Sequence, residues 1–128
     1  MAIGIFNYGI YDLPDLIDAT VACMYELDTR QYALSLNQSE TTRRAVQSAF
    51  NSAFRRSEVL TAELNRRLEV TPAEALEAKI TIIKTLFQKH ASEFASLSEK
   101  EPRRSWHQKM MNFYQSKLPV AFQNAQTQ

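Results

Sequence analysis

The chain of 128 residues contains two histidines, and both lie in segments with the periodicity of helices. His90 falls on an apolar seam, where an imidazole can act as a metal ligand, a general base or a pH-sensitive element of the packing. Glu93 follows about one helical turn later, but no second His or Cys stands at the spacing of a metal site. We therefore favour a core histidine that is satisfied by one hydrogen bond.

His107 lies beside Trp106 and shortly after the basic pair Arg103-Arg104. An imidazole in this setting could stack against a nucleic-acid base or against a side chain of a partner protein. The pattern fits an amphipathic helix better, so we expect His107 to be a half-exposed residue of such a helix.

The remaining candidates for chemistry are one thiol and a group of three carboxylates. Cys23 has no basic residue within one helical turn to lower its pKa, so we expect a small core hydrophobe. Asp12, Asp15 and Asp18 are explained by the preference of helix N-termini for negative charge. We predict no catalytic residue, no metal site and no cofactor, and we do not expect an enzyme.

Composition excludes several function classes. The only two glycines are Gly4 and Gly9, so phosphate-binding glycine loops are excluded after residue 9. One cysteine cannot form an intramolecular disulfide, which fits a reducing compartment. No signal peptide or membrane span is expected, and we predict a cytoplasmic protein or one delivered by a route that leaves no cleavable signal. The net charge of +1 hides an asymmetry, since residues 1–38 are mainly acidic and residues 99–128 mainly basic.

Helix start and stop signals, together with the spacing of apolar residues, predict four helices and therefore an all-α fold. We expect an antiparallel helical bundle with a short irregular aromatic N-terminal arm. We assign the arm to 1–11, the bundle to 12–118 and a polar C-terminal tail to 119–128. The short link between the second and third helices predicts that these two pair as a hairpin. The predicted starts are capping residues or prolines: Asp12, Ser39, Thr71-Pro72 and Pro102.

Apolar residues on the second and third helices recur at spacings of four and three, as in coiled coils. On the third helix this heptad predicts that Ile83 and Phe87 belong to the core. The neighbouring Ile82 and Leu86 then lie beside the seam, as apolar residues in excess of one stripe. The seam of the second helix comprises Val46, Phe50, Ala53, Ser57, Leu60, Leu64 and Leu68, and that of the third Leu76, Ile80, Ile83, Phe87, His90, Phe94 and Leu97.

The second helix is marked by three arginine pairs, Arg43-Arg44, Arg55-Arg56 and Arg66-Arg67. Arg44, Arg55 and Arg66 are each eleven residues apart, which places them on one ridge that faces away from the core. One interpretation is a nucleic-acid-binding helical bundle that uses this ridge, with Arg103 and Arg104 of the fourth helix adding to it. The other is a solvated face with Glu40–Arg44 and Glu63–Arg67 ion pairs, and the low net charge favours it.

Apolar residues exceed what one stripe per helix requires, which predicts an exposed contact surface. We expect a homodimer or an obligate complex with another protein, through the arm or the fourth helix. The leading hypothesis is a non-catalytic protein-interaction module of the regulator, secretion-chaperone, immunity or inhibitor type, and nucleic-acid binding is the alternative. The predicted partner-binding residues are Ile5, Phe6, Tyr8, Tyr11, Trp106, Met110 and Tyr114.

Overall fold

The computed structural model describes residues 11–69 and 72–119 of the chain. Of these residues 86% are helical and none forms a strand, which confirms the prediction of an all-α fold with four helices. No helix among them is both long and apolar enough to cross a membrane. Two compact units divide the chain, Met1–Ala75 and Leu76–Gln128. The helices are α1 (Leu13–Leu34), α2 (Glu40–Leu68), α3 (Pro72–Ser96) and α4 (Pro102–Lys117).

Helix starts coincide with the capping residues that the sequence marks. The Asp12 carboxylate accepts a hydrogen bond from the Asp15 backbone N–H at 2.9 Å, which caps α1. The Ser39 hydroxyl accepts one from the Thr42 backbone N–H at 3.2 Å and caps α2 in the same way. The predicted cap of α3, Thr71, lies outside the described residues. Local sequence therefore determines where these helices begin, before any tertiary contact is considered.

The first unit is built on an antiparallel α1–α2 hairpin. Its core residues lie on the predicted seam of α2 and on one side of α1. Val46, Phe50 and Ser57 of the predicted seam are only half-buried, so the seam is fully covered mainly toward the C-terminal half of α2. The buried apolar residues are Leu16, Val21 and Cys23 of α1 with Ala53, Leu60, Leu64 and Leu68 of α2.

In the second unit α3 and α4 meet through aromatic and imidazole rings, and the buried face of α3 is rotated from its predicted seam. Phe87 is buried, as predicted, but Ile83 is half-buried and Leu76 is 57% exposed. The residues that seemed surplus, Ile82 and Leu86, are buried instead. The row of α3 with Ile83 and the row with Ile82 and Leu86 both lie within the width of one apolar stripe. Periodicity alone therefore cannot decide which of the two rows is buried. The pairing of α2 with α3 stays a prediction.

Candidate functional site

The two histidines form a buried pair that joins α3 to α4. The Nδ1 atoms of His90 and His107 lie 2.9 Å apart, within hydrogen-bond distance. His90 is 0% exposed and His107 is 3% exposed. The prediction of a core, hydrogen-bonded His90 is confirmed, whereas that of a half-exposed His107 was wrong. The error arose because the side of α4 that carries His107 packs inward, toward α3.

The short distance between the two nitrogens fixes how protons are shared. One Nδ1 must carry a proton and donate it, while the other must offer its lone pair. Burial lowers the pKa of His107, and the nearby imidazole of His90 and the charge of Arg103 lower this pKa further. Glu93 acts in the opposite direction. His107 therefore remains neutral to lower pH than an exposed histidine would.

Aromatic rings enclose this histidine pair. Trp106 meets the His90 ring edge-on, with centroids 5.2 Å apart, and lies 4.7 Å from the His107 ring. The ring of Tyr114 stacks on His90 at 5.8 Å. Tyr114 is only 5% exposed, so this predicted partner-binding residue lies in the interior of the unit. Trp106 is half-buried and packs on both histidine rings.

A regular stripe of exposed and half-exposed residues runs along α4 beside the histidine pair. Arg103, Trp106, Met110, Phe113 and Lys117 follow one another at spacings of three, four, three and four, which aligns them on one face. We call these five residues the α4 stripe. Trp106 and Met110 are half-buried, and Phe113 at the centre of the exposed part is 48% exposed. The Lys117 ammonium lies 5.1 Å from the centroid of the Phe113 ring.

The α4 stripe thus has an apolar centre and a positive charge at each end. No ion pair engages Arg103 or Lys117 among residues 11–69 and 72–119. From the sequence, Trp106 and Met110 were predicted to bind a partner protein and Arg103 to bind nucleic acid. Phe113 and Lys117 were not predicted as site residues. The heptad spacing of the five residues was the signal that could have identified them.

Arginines of α2 divide into two groups, and the first group holds the α1–α2 hairpin together. Arg43 donates to the backbone carbonyls of Leu34 and Leu36, at 3.2 and 3.3 Å, and so satisfies the C-terminal end of α1. The other two contacts lie further along the hairpin: Arg56 donates to the Glu26 carboxylate at 2.8 Å, and Arg67 donates to the Tyr11 carbonyl. One arginine of each pair therefore binds α1 or its N-terminal flank.

The second group is the predicted ridge, Arg44, Arg55 and Arg66, and all three are exposed. Arg44 pairs with Glu40 at 3.2 Å, and Arg66 pairs with Glu63 at 2.6 Å. The expected Glu40–Arg44 and Glu63–Arg67 pairs are confirmed.

Hydrogen bonds from Arg66 and Arg67 lower the pKa of Glu63 to about 2. In the described part of the chain, Arg55 has no ion pair. Arg104, also predicted to bind nucleic acid, packs its guanidinium 3.9 Å from the centroid of the Phe94 ring.

Of the other predicted residues, the structure describes Cys23 and Tyr11. The Cys23 thiol is buried and donates to the Ala53 carbonyl at 3.3 Å, and burial raises its pKa. Tyr11 is exposed, and Arg67 holds its carbonyl. The predicted partner-binding residues Ile5, Phe6 and Tyr8 lie outside the described residues.

Comparison with known proteins gives no relative. No protein-family model matches the chain, and no curated protein and no solved structure is significantly similar to it.

Proposed function

We propose that this chain is a non-catalytic protein-interaction module whose α4 stripe binds an acidic amphipathic helix of a partner protein. It would act in the cytoplasm, as a regulator, secretion chaperone, immunity protein or inhibitor. One observation carries the proposal: the half-exposed ring of Phe113 lies on the same face as Trp106 and Met110, between the positive charges of Arg103 and Lys117.

The spacing of the α4 stripe favours a helix as the occupant. Apolar side chains repeated at three and four residues pack against a second helix with the same repeat, at a small crossing angle. Covering the exposed half of Phe113 contributes on the order of 1 kcal/mol, so affinity has to come from several anchors together. Trp106 is a suitable anchor because aromatic residues dominate the energy of many protein interfaces.

The basic residues around the α4 stripe favour a partner helix of negative charge. Arg103 and Lys117 bound the stripe, and Lys109 flanks it on the exposed side of α4. Residues 99–128 contain five basic residues against two acidic ones. A partner helix with acidic residues beside its apolar seam complements this field, whereas a basic helix is repelled.

The same charges disfavour a second copy as the occupant. In a two-fold antiparallel pair of α4 helices, Arg103 of one copy would lie near Lys117 of the other. Like charges at both ends of the contact oppose this pairing. The homodimer predicted from the apolar surplus would therefore need another surface, and the α4 stripe is available for a different protein.

The test uses two synthetic amphipathic helical peptides with the same apolar seam, one flanked by Glu and one by Lys. Trp106 is the only tryptophan of the chain, so its emission reports binding at the stripe. We expect the acidic peptide to bind and the basic one not to bind. Phe113→Ala should weaken the acidic complex roughly tenfold in Kd.

Phe54→Ala is the matched control, because Phe54 on α2 is also 48% exposed and lies outside the stripe. This variant should bind the acidic peptide as the unmodified chain does. Equal binding of both peptides, or equal effects of Phe113→Ala and Phe54→Ala, would overturn the proposal.

The nucleic-acid alternative has one observation in its favour. Arg55 is exposed and lines a shallow polar depression on α2 that begins at Arg44 and also includes Gln47, Ser48 and Asn51. Against it, Arg44 and Arg66 already neutralise carboxylates one turn away. The protein-interaction proposal is therefore the better supported of the two.

A further inference from the structure

We propose that the His90–His107 pair is a pH-sensitive latch, which holds α4 against α3 at neutral pH and releases it when both imidazoles become protonated. The proposal does not depend on the proposed function, since it concerns contacts within the second unit. It rests on the 2.9 Å separation of the two Nδ1 atoms and on the burial of both rings.

The proton count follows from the geometry. In the neutral pair one Nδ1–H donates to the lone pair of the other Nδ1. A first added proton can bind at Nε2 of the donor ring and leaves the hydrogen bond intact. A second proton has to occupy the accepting Nδ1, so that two N–H groups point at each other across 2.9 Å. The hydrogen bond is then lost, and two positive charges remain in a buried site.

The charged groups that act on His107 compensate little for this charge. Glu93 is on α3, and Arg103 is on α4 and adds a further positive charge. Glu93 is exposed, so its attraction for an imidazolium is weakened by solvent. The rings that enclose His90, those of Trp106 and Tyr114, offer no full negative charge. Separation of the helices, which returns both imidazoles to water, is the direct relief.

Release would change the surface that α4 presents. Trp106 contacts both imidazole rings, so its position in the α4 stripe depends on the closed latch. Tyr114 stacks on His90 and would become exposed together with it. The pair thus couples the proton concentration to the arrangement of the aromatic residues on α4.

The experiment follows Trp106 emission and amide hydrogen exchange of α4 in the full chain between about pH 7.5 and 5, the range in which histidines titrate. We expect a cooperative transition below pH 6.5, the ordinary pKa of histidine, with faster exchange along α4. The transition should disappear in His107→Gln. The glutamine amide can still accept a hydrogen bond from a protonated His90, so this variant has no second proton to accommodate.

Far-UV circular dichroism verifies that His107→Gln keeps the helix content of the unmodified chain. NMR titration of the two imidazoles in the unmodified chain gives a second readout that needs no variant. The latch requires the second of the two imidazole protonations to coincide with the change in Trp106 emission. Two imidazole titrations that are independent of each other, constant Trp106 emission, or the same transition in His107→Gln would overturn the proposal.

Discussion

The Nδ1 atom of His90 lies 2.9 Å from the Nδ1 atom of His107, although the two residues are 17 positions apart in the chain. Each residue taken alone resembles an ordinary helical histidine. Together they make the contact between α3 and α4 dependent on protonation. Both rings also pack against the half-buried Trp106 of the α4 stripe.

Folding stability should fall at acidic pH because of this pair. The pKa of His107 is lowered in the folded chain, so the unfolded chain takes up its proton first as the pH falls. The contribution of His107 to the free energy of unfolding is fully present above pH 6.5. It decreases as the pH falls through that value and is lost below the pKa of His107 in the folded chain. Urea unfolding at a series of pH values measures this, and the unfolding constant should rise by up to about tenfold per pH unit and proton. A His107→Gln variant with the same pH profile as the unmodified chain would contradict the explanation.

The rotated face of α3 predicts unequal costs for two similar truncations. Phe87→Ala should destabilise the chain by about 3–5 kcal/mol, because a buried ring is replaced by a cavity. Leu76→Ala should change stability by less than about 0.5 kcal/mol, since this side chain is largely exposed. Thermal unfolding compares the two variants. A larger loss for Leu76→Ala would show that the wrong face of α3 has been assigned to the core.

Sequence reasoning located the helices accurately because capping is local. Asp12, Ser39 and Pro102 mark the starts of their helices, and each acts through residues within one turn. Local sequence could not predict whether the face of α3 with Ile82 or the face with Ile83 is buried. Both fit the same periodicity, and the covered one is decided by the shape of the neighbouring structure.

The ion pair of Arg56 with Glu26 should contribute measurable coupling between α1 and α2. Its N–O distance is 2.8 Å and both side chains are about two-thirds covered. A double-mutant cycle with Arg56→Ala and Glu26→Ala should give about 0.5–1 kcal/mol, and less in high salt. The Arg44–Glu40 pair is the control, because it is largely exposed and lies within one helix. Equal coupling in both cycles would argue against a role for Arg56 in holding the hairpin.

The Arg ridge should not support tight nucleic-acid binding. Arg44 and Arg66 are already engaged in ion pairs with carboxylates of the same helix. We therefore expect no mobility shift with DNA or RNA at physiological salt. A complex with steep salt dependence, whose slope falls by up to about 3 when Arg44, Arg55 and Arg66 are all changed to Ala, would instead support the nucleic-acid alternative.

The candidate site was only partly accessible from the sequence, for a physical reason. Helical spacing places Trp106 and Met110 on one face, and this much could be read from the chain. The inward direction of Tyr114 and His107 depends on how α4 is rotated against α3. That rotation is determined by the contact of His90 with both residues, which joins distant parts of the chain.

Charge reversal at the ends of the α4 stripe tests the central claim most directly. In the double variant Arg103→Glu/Lys117→Glu the apolar centre of the stripe remains, while both charged ends change sign. We predict that this variant no longer binds the Glu-flanked peptide and instead binds the Lys-flanked one. Trp106 emission at low and high salt measures both complexes. A double variant that still binds the acidic peptide with unchanged Kd would show that the α4 stripe is not the partner-binding surface.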